Sequence, residues 1–191
     1  MEKRFRRFFI ALPVEDENTV KILSGIAGTL DKKKSSLKIV PPDNYHLTLK
    51  FFGSLEPEFC KDIINAFRLV GPLRKIEYSI KGLGVFPDSG EPSVLWAGLE
   101  CDKQPLADVL QLVESFASSF GFPPEKRGFV PHLTLARVKK DCTVNSDAKK
   151  LLFNEKQRLF ASSVFRELVL FESILRSDGA EYKKVEVIKL L

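Results

Sequence analysis

Both histidines of this 191-residue chain, His46 and His132, begin the same tetrapeptide, His-Leu-Thr-Leu. Strand side chains alternate between two faces, so each histidine would share a strand face with the threonine two residues later, Thr48 or Thr134. Two such strands side by side would present two imidazoles and two hydroxyls to one cleft. Because the pKa of imidazole is about 6.5, one ring can accept a proton while the other donates one. The repeated tetrapeptide therefore predicts acid–base chemistry, for which a phosphate is a suitable target.

Cleavage of a phosphodiester needs the groups that these two tetrapeptides supply. A base activates the attacking oxygen, an acid protonates the leaving oxygen, and hydrogen-bond donors hold the non-bridging oxygens as charge develops on them. The two threonine hydroxyls can be those donors. A single histidine on a strand is usually a structural residue, but packing gives no reason for histidine and threonine to recur at the same offsets. No set of metal ligands is left over, so we expect neither a metal nor a cofactor.

Composition and cysteine usage narrow the protein class. The net charge of +5 suits an anionic ligand but is too small for a dedicated nucleic-acid coat. Three widely spaced cysteines, Cys60, Cys101 and Cys142, indicate neither a disulfide framework nor a zinc cluster, and favour a reducing compartment. The apolar run that ends at Val14 lacks a cleavage site and predicts a first strand rather than a signal peptide. We expect a soluble cytoplasmic monomer with no membrane partner.

Apolar periodicity and turn residues divide the chain into two similar halves. The first half is predicted to contain, in order, a strand at 6–12, a helix at 18–32, a short extended piece at 37–40, a strand at 45–52, a helix at 56–70 and a strand at 75–86. The second half is predicted to contain a strand at 94–99, a helix at 104–120, a strand at 130–138, a helix at 146–153 and strands at 167–175 and 182–190, the last two joined by a turn at Ser177-Asp178-Gly179. Ile10 and Trp96, in the first strand of each half, both lie 36 residues before a histidine.

This matching order predicts an internal duplication, with approximate repeats over residues 5–88 and 93–190. No linker separates the halves, so residues 1–191 are expected to form a single bilobal domain with interleaved lobes. A pseudo-twofold axis would bring equivalent strands to face each other across a cleft. Small-molecule sites favour such clefts, so the function is expected to lie between the lobes.

The segments around the two histidines resemble the two-histidine (2H) phosphoesterases. The resemblance is carried by Asn44-Tyr45-His46-Leu47-Thr48-Leu49-Lys50-Phe51-Phe52-Gly53 and by Pro131-His132-Leu133-Thr134-Leu135-Ala136-Arg137. Flanking segments at 7–12, 83–87, 94–98 and 173–182 are similar to the bacterial and archaeal RNA 2′,3′-cyclic phosphodiesterases, first named 2′-5′ RNA ligases. The resemblance implies an α+β fold in which two antiparallel β-sheets line a central cleft, with the helices outside. It also implies metal-independent hydrolysis of a 2′,3′-cyclic phosphate on RNA ends or nucleotides, giving a 2′-phosphomonoester.

The same resemblance implies roles for individual residues. His46 would be the proton donor to the departing 3′ oxygen, and His132 would be the proton acceptor that activates water. Thr48 and Thr134 would bind phosphate oxygens, and Arg137 matches a phosphate-contacting arginine of the family. Strict alternation would place Arg137, five residues after His132, on the opposite face of the strand. A β-bulge or the strand end must therefore turn it inward.

Several neighbouring residues have two interpretations. Lys50 shares the alternating face of His46 and Thr48 and could add positive charge there. Tyr45, Phe51 and Phe129 flank the motifs and could stack on a nucleobase, although core packing is the commoner use of such residues. The lysines at 32–34 and 139–140 could guide an RNA backbone or only keep loops soluble.

Two alternative functions remain open at this point. One lies within the same superfamily: a 2′-5′ RNA ligase, or a phosphodiesterase for another cyclic nucleotide. The other is a non-catalytic nucleotide- or RNA-binding module that retains the fold. The intact motifs favour catalysis, and ligation runs uphill without an activated end, so hydrolysis is the preferred interpretation.

Overall fold

A computed structural model of the chain describes residues 5–30, 36–125, 128–176 and 180–191. The turn predicted at Ser177-Asp178-Gly179 and the lysines at 32–34 lie outside the described residues. The strands are β1 (Arg6–Pro13), β2 (Leu37–Ile39), β3 (His46–Leu55), β4 (Ile76–Phe86), β5 (Val94–Cys101), β6 (His132–Val138), β7 (Leu159–Phe165), β8 (Glu167–Leu175) and β9 (Ala180–Lys189). The helices are α1 (Glu17–Leu30), α2 (Pro57–Phe67), α3 (Lys103–Ser119) and α4 (Ser146–Asn154), and a short 3₁₀ turn spans Pro42–Asn44.

The predicted order of elements is confirmed, with three differences. Strand β3 continues past Gly53, where it was expected to end, because Gly53 adopts a φ of 73° at a bulge and the ladder resumes beyond it. Helix α2 ends at Phe67, three residues before its predicted end. Strand β7 was not predicted, because its half-exposed, serine-containing sequence lacks a clear alternation.

The strands form two antiparallel sheets that each draw on both halves of the chain. The first sheet has the order β3-β1-β8-β9, and the second has the order β2-β6-β5-β4-β7. The order β3-β1-β8-β9 is equivalent to β6-β5-β4-β7, and β2 is an additional edge strand. Strand β4 of the first half therefore lies in the second sheet, and β8 and β9 of the second half lie in the first. The predicted α+β fold with a duplicated, two-lobed arrangement of antiparallel sheets is confirmed.

The main hydrophobic core lies between the sheets and the helices. Alternation along β1 directs Phe8, Ile10 and Leu12 into this core, where α1 and α3 also bury apolar side chains. The opposite face of β1 carries Phe9 and Ala11, which form a smaller buried cluster with residues of β8. No helix among the described residues is long and apolar enough to cross a membrane.

Each motif strand contains a β-bulge at the last residue of its tetrapeptide. The register of β3 against β1 skips Leu49, and the register of β6 against β5 skips Leu135. A bulge adds one residue to a strand and so reverses the alternation that follows it. The matched bulges also correct one prediction. Ala11 lies opposite Thr48, and Trp96 lies opposite Thr134. The counterpart of Trp96 is therefore Ala11 rather than Ile10.

Candidate active site

The two motif strands, β3 and β6, lie in contact with each other. All four motif side chains, His46 and Thr48 on β3 and His132 and Thr134 on β6, are half-buried. A cavity of about 960 Å³ borders the strands and is lined by Thr48 from one motif and His132 from the other. Such a volume is within the range of small-molecule sites.

Each imidazole ring is oriented by a hydrogen bond to the backbone two residues before it. His46 Nδ1 donates to the carbonyl oxygen of Asn44 at 2.7 Å, and His132 Nδ1 donates to the carbonyl oxygen of Val130 at 2.7 Å. A carbonyl oxygen can only accept, so Nδ1 carries the proton in both rings. In a neutral ring this leaves the lone pair on Nε2. Nε2 is therefore the atom of each histidine that can exchange a proton with a ligand.

Aromatic side chains pack around both rings. The ring centroid of His46 lies 5.0 Å from that of Phe9 and 5.3 Å from that of Tyr182. The ring centroid of His132 lies 4.9 Å from that of Phe86 and 6.2 Å from that of Trp96. These contacts exclude water from one side of each imidazole and fix its plane. The four aromatic residues lie on strands β1, β9, β4 and β5, and the two sequence motifs do not predict that these strands lie next to the histidines.

Burial lowers the pKa of both histidines. The pKa of His46 falls to about 4, chiefly through lost hydration, with smaller contributions from His132 and Arg137. Burial also lowers the pKa of His132, and Arg137 lowers it further. Both rings are therefore neutral near pH 7 in the unliganded protein. A bound phosphate would oppose these effects, because its negative charge favours the protonated form of each ring.

The lowered pKa of His46 is expected to make stability depend on pH. The folded-state pKa of about 4 lies below the unfolded value of about 6.5, so the unfolded chain binds more protons between these values. The free energy of unfolding should therefore fall as pH decreases through this window. Urea unfolding at pH 7 and pH 5 is expected to show a smaller loss for His46→Gln than for the wild type. Equal losses in the two proteins would contradict the lowered pKa.

Arg137 lies on the same face of β6 as the motif side chains. The register of β6 places His132, Thr134 and Arg137 opposite Gly98, Trp96 and Val94 of β5. These three residues of β5 are spaced two apart and so share one face, as do directly opposed residues of an antiparallel pair. The bulge at Leu135 therefore turns Arg137 to the face of His132, as the sequence predicted.

Lys50 does not share the face of His46, contrary to the prediction. The bulge at Leu49 turns Lys50 toward the core side, and its side chain is only 2% exposed. Its Nζ donates to both carboxylate oxygens of Glu114, at 3.0 and 3.1 Å, and to the carbonyl oxygen of Pro123 at 2.8 Å. Lys50 therefore joins β3 to α3 and to the segment that precedes β6. Its charge is thus paired with a carboxylate at the wall of the cavity that Thr48 and His132 also line.

The three aromatic residues that flank the motifs have different environments. Tyr45 is buried in the main core, as the commoner use of such residues suggested. Phe51 is 61% exposed and Phe129 is 40% exposed, and both line the cavity beside the histidines. The bulge at Leu49 places Phe51 on the face of His46, at the position equivalent to that of Arg137 in β6. Phe51 and Phe129 thus provide exposed apolar surface beside the polar motif groups.

The donor groups of the site suit an anion rather than a cation. Neither Thr48 nor Thr134 makes a side-chain hydrogen bond within the described residues, so both hydroxyls can serve a ligand. No group of three or more histidine, cysteine or acidic side chains among the described residues could hold a metal ion. Two imidazoles, two hydroxyls and a guanidinium are the groups required to bind a phosphate and to transfer protons to and from it.

A family model described as LigT like Phosphoesterase matches the chain twice, over residues 13–96 and 99–182. The chain is also similar to proteins named RNA 2′,3′-cyclic phosphodiesterase. The relative from Methanothermobacter thermautotrophicus is 34% identical over 96% of this chain and 98% of its own length. The relative from Aquifex aeolicus is 33% identical over 88% of this chain and 91% of its own length.

Solved structures share the fold over nearly the whole chain. TT0787 of Thermus thermophilus superposes with a TM-score of 0.77 at 24% identity, covering 96% of this chain and 97% of that one. Escherichia coli LigT complexed with 3′-AMP superposes with a TM-score of 0.68 at 20% identity, covering 98% of this chain and 99% of that one. At these identities the structures establish the fold alone.

Proposed function

The chain belongs to the LigT-like phosphoesterases, and we propose that it hydrolyses 2′,3′-cyclic phosphates on RNA ends or nucleotides to 2′-phosphomonoesters. The observation that carries this proposal is the pair of imidazoles on adjoining strands, each with Nδ1 bonded to the backbone and Nε2 left for proton exchange. Relatives that cover most of the chain are named RNA 2′,3′-cyclic phosphodiesterase, which supports the same substrate class.

In the proposed reaction, His132 Nε2 takes a proton from water as the water oxygen attacks phosphorus. The bond between phosphorus and the 3′ oxygen breaks, and His46 Nε2 gives its proton to that oxygen. The products are a 2′-phosphomonoester and a free 3′ hydroxyl, and the two imidazoles have exchanged protonation states. Thr48, Thr134 and Arg137 hold the non-bridging oxygens as negative charge builds on them.

The proposed roles require the substrate to change the protonation state of the site. An acid must begin protonated, whereas the pKa of His46 in the unliganded protein is about 4. The negative charge of the cyclic phosphate raises the pKa of a ring that it contacts, so the protonated form of His46 is stabilised in the complex. The assignment of acid and base follows the family resemblance. By itself, the low pKa of His46 in the unliganded protein would favour His46 as the base.

Turnover of 2′,3′-cyclic AMP in the presence of EDTA is the direct test, with the product identified by phosphorus NMR. We expect 2′-AMP as the product, at a rate that the chelator does not change. Activity lost to EDTA, or formation of 3′-AMP, would contradict the proposal. Nucleotide binding without turnover would instead indicate a non-catalytic binding module, and formation of a 2′-5′ linkage would indicate a ligase.

We propose that residues 1–191 act as one domain, since both sheets contain strands from both halves of the chain. A cytoplasmic location is supported by the cysteines, because Cys60, Cys101 and Cys142 are all free thiols. Action as a monomer is the simplest arrangement, since one chain supplies both histidines.

A further inference from the structure

Two exposed cations lie side by side next to the proposed phosphate site. Lys38, on the edge strand β2, is directly opposite Arg137 on β6. Directly opposed residues of an antiparallel pair have Cβ atoms about 5 Å apart, where like charges destabilise a sheet. In the part of the chain that the structure describes, no carboxylate forms an ion pair with either residue. Among the described residues the pair has no neutralising carboxylate, so it suits an anionic ligand.

The position of Lys38 extends the site in one direction. Directly opposed residues share a sheet face, so Lys38 lies on the face of Arg137, and Arg137 lies on the face of His132 and Thr134. In the sheet order, β6 lies between β5 and the edge strand β2. Lys38 is therefore one strand, or about 4.8 Å, farther from β5 than Arg137 is. The long lysine side chain can thus reach an anion adjacent to the one held at the histidines.

The other side of the site has the opposite character. The cavity beside His132 is lined by the exposed ring of Phe129 and by Asp88, Glu114 and Glu125. Glu114 and Glu125 are paired with Lys50, so the exposed aromatic rings set the character of this cavity, and an aromatic surface suits a nucleobase. An RNA strand whose last base occupies this cavity would therefore leave the site along β6 toward β2.

We propose that Lys38, beside the Arg137 that holds the cyclic phosphate, binds the phosphodiester immediately upstream of the terminal nucleotide, so that the site recognises an RNA strand rather than only a mononucleotide. This inference rests on the proposed function, since it takes the cyclic phosphate to lie at His46 and His132. A mononucleotide has no upstream phosphodiester and gains nothing from Lys38. An oligonucleotide gains one charge-assisted contact to its backbone.

The test compares Lys38→Met with the wild type on 2′,3′-cyclic AMP and on an adenosine trinucleotide that ends in a 2′,3′-cyclic phosphate. We expect kcat/KM to fall about tenfold for the trinucleotide, as for loss of one hydrogen bond to a charged group, and less than twofold for the mononucleotide. The slope of log KM for the trinucleotide against log salt should fall by about 0.7. Lys149→Met, which removes an exposed lysine from α4, is the matched control and should leave the ratio of the two substrates as it is.

Equal effects of Lys38→Met on both substrates, or no effect on either, would overturn the inference while leaving the proposed function intact. If the wild type turns over neither substrate, the proposed function fails, and binding then tests Lys38 separately. In that case fluorescence anisotropy would compare a labelled trinucleotide that ends in a 2′-phosphate with labelled 2′-AMP. Selective weakening of trinucleotide binding by Lys38→Met would support the upstream contact, and equal binding by both proteins would refute it.

Discussion

Replacement of His132 by alanine is expected to lower kcat for 2′,3′-cyclic AMP by about 10²- to 10⁴-fold, the usual contribution of one acid–base group. His46→Ala is expected to cause a loss of similar size, because each ring transfers one of the two protons that the reaction moves. Both changes remove a half-buried ring, so near-ultraviolet circular dichroism and the urea midpoint should be measured alongside turnover. Near-normal rates in either variant would show that the two-imidazole mechanism is wrong.

The double variant and a second substrate make this test sharper. Two residues that act as one catalytic unit are non-additive, so the double variant should be little slower than the slower single variant. A phosphodiester with a nitrophenolate leaving group needs no acid. On such a substrate the variant that lacks the acid should recover much of its rate, whereas the variant that lacks the base should not. Recovery by His132→Ala in place of His46→Ala would reverse the proposed roles.

Arg137→Met is expected to lower kcat by about 10²-fold, as for the loss of one donor to charge that develops in the transition state. Lysine keeps the charge but loses the planar, bidentate geometry, so Arg137→Lys should recover only part of the rate. Arg74→Met is a suitable control, because Arg74 is an exposed arginine whose partner, Asp108, lies outside the cavity. An increase in KM with unchanged kcat would instead show that Arg137 binds the ground state and the transition state equally.

The pairing of histidine and threonine could be predicted from the sequence because it depends on local geometry. A two-residue period places His46 with Thr48, and His132 with Thr134, whatever the strands pair with. The same two-residue period gave a wrong prediction for Lys50, because the bulge at Leu49 reverses the alternation between Thr48 and Lys50. The bulged residue is a leucine with no special backbone preference, so nothing local marks its position.

Interleaved lobes were expected from the sequence, but which strands the two halves exchange could not be predicted from it. Residues of β1 pair with residues of β8 more than 150 positions away, and such pairings depend on tertiary packing rather than on strand propensity. The environment of the histidines depends on this exchange. Tyr182 reaches His46 from β9, and Phe86 reaches His132 from β4, each from the other half of the chain. The lowered pKa values therefore arise from contacts that no single motif contains.

The shared sheets also limit how the cleft can move. If the halves were separate bodies joined near residues 87–93, substrate could enter by a hinge rotation of one against the other. Here such a rotation would break backbone hydrogen bonds between β4 and β5 and between β1 and β8. The halves of the chain are therefore not the bodies that could move, and an opening of the cleft would have to separate one sheet, with His46, from the other, with His132.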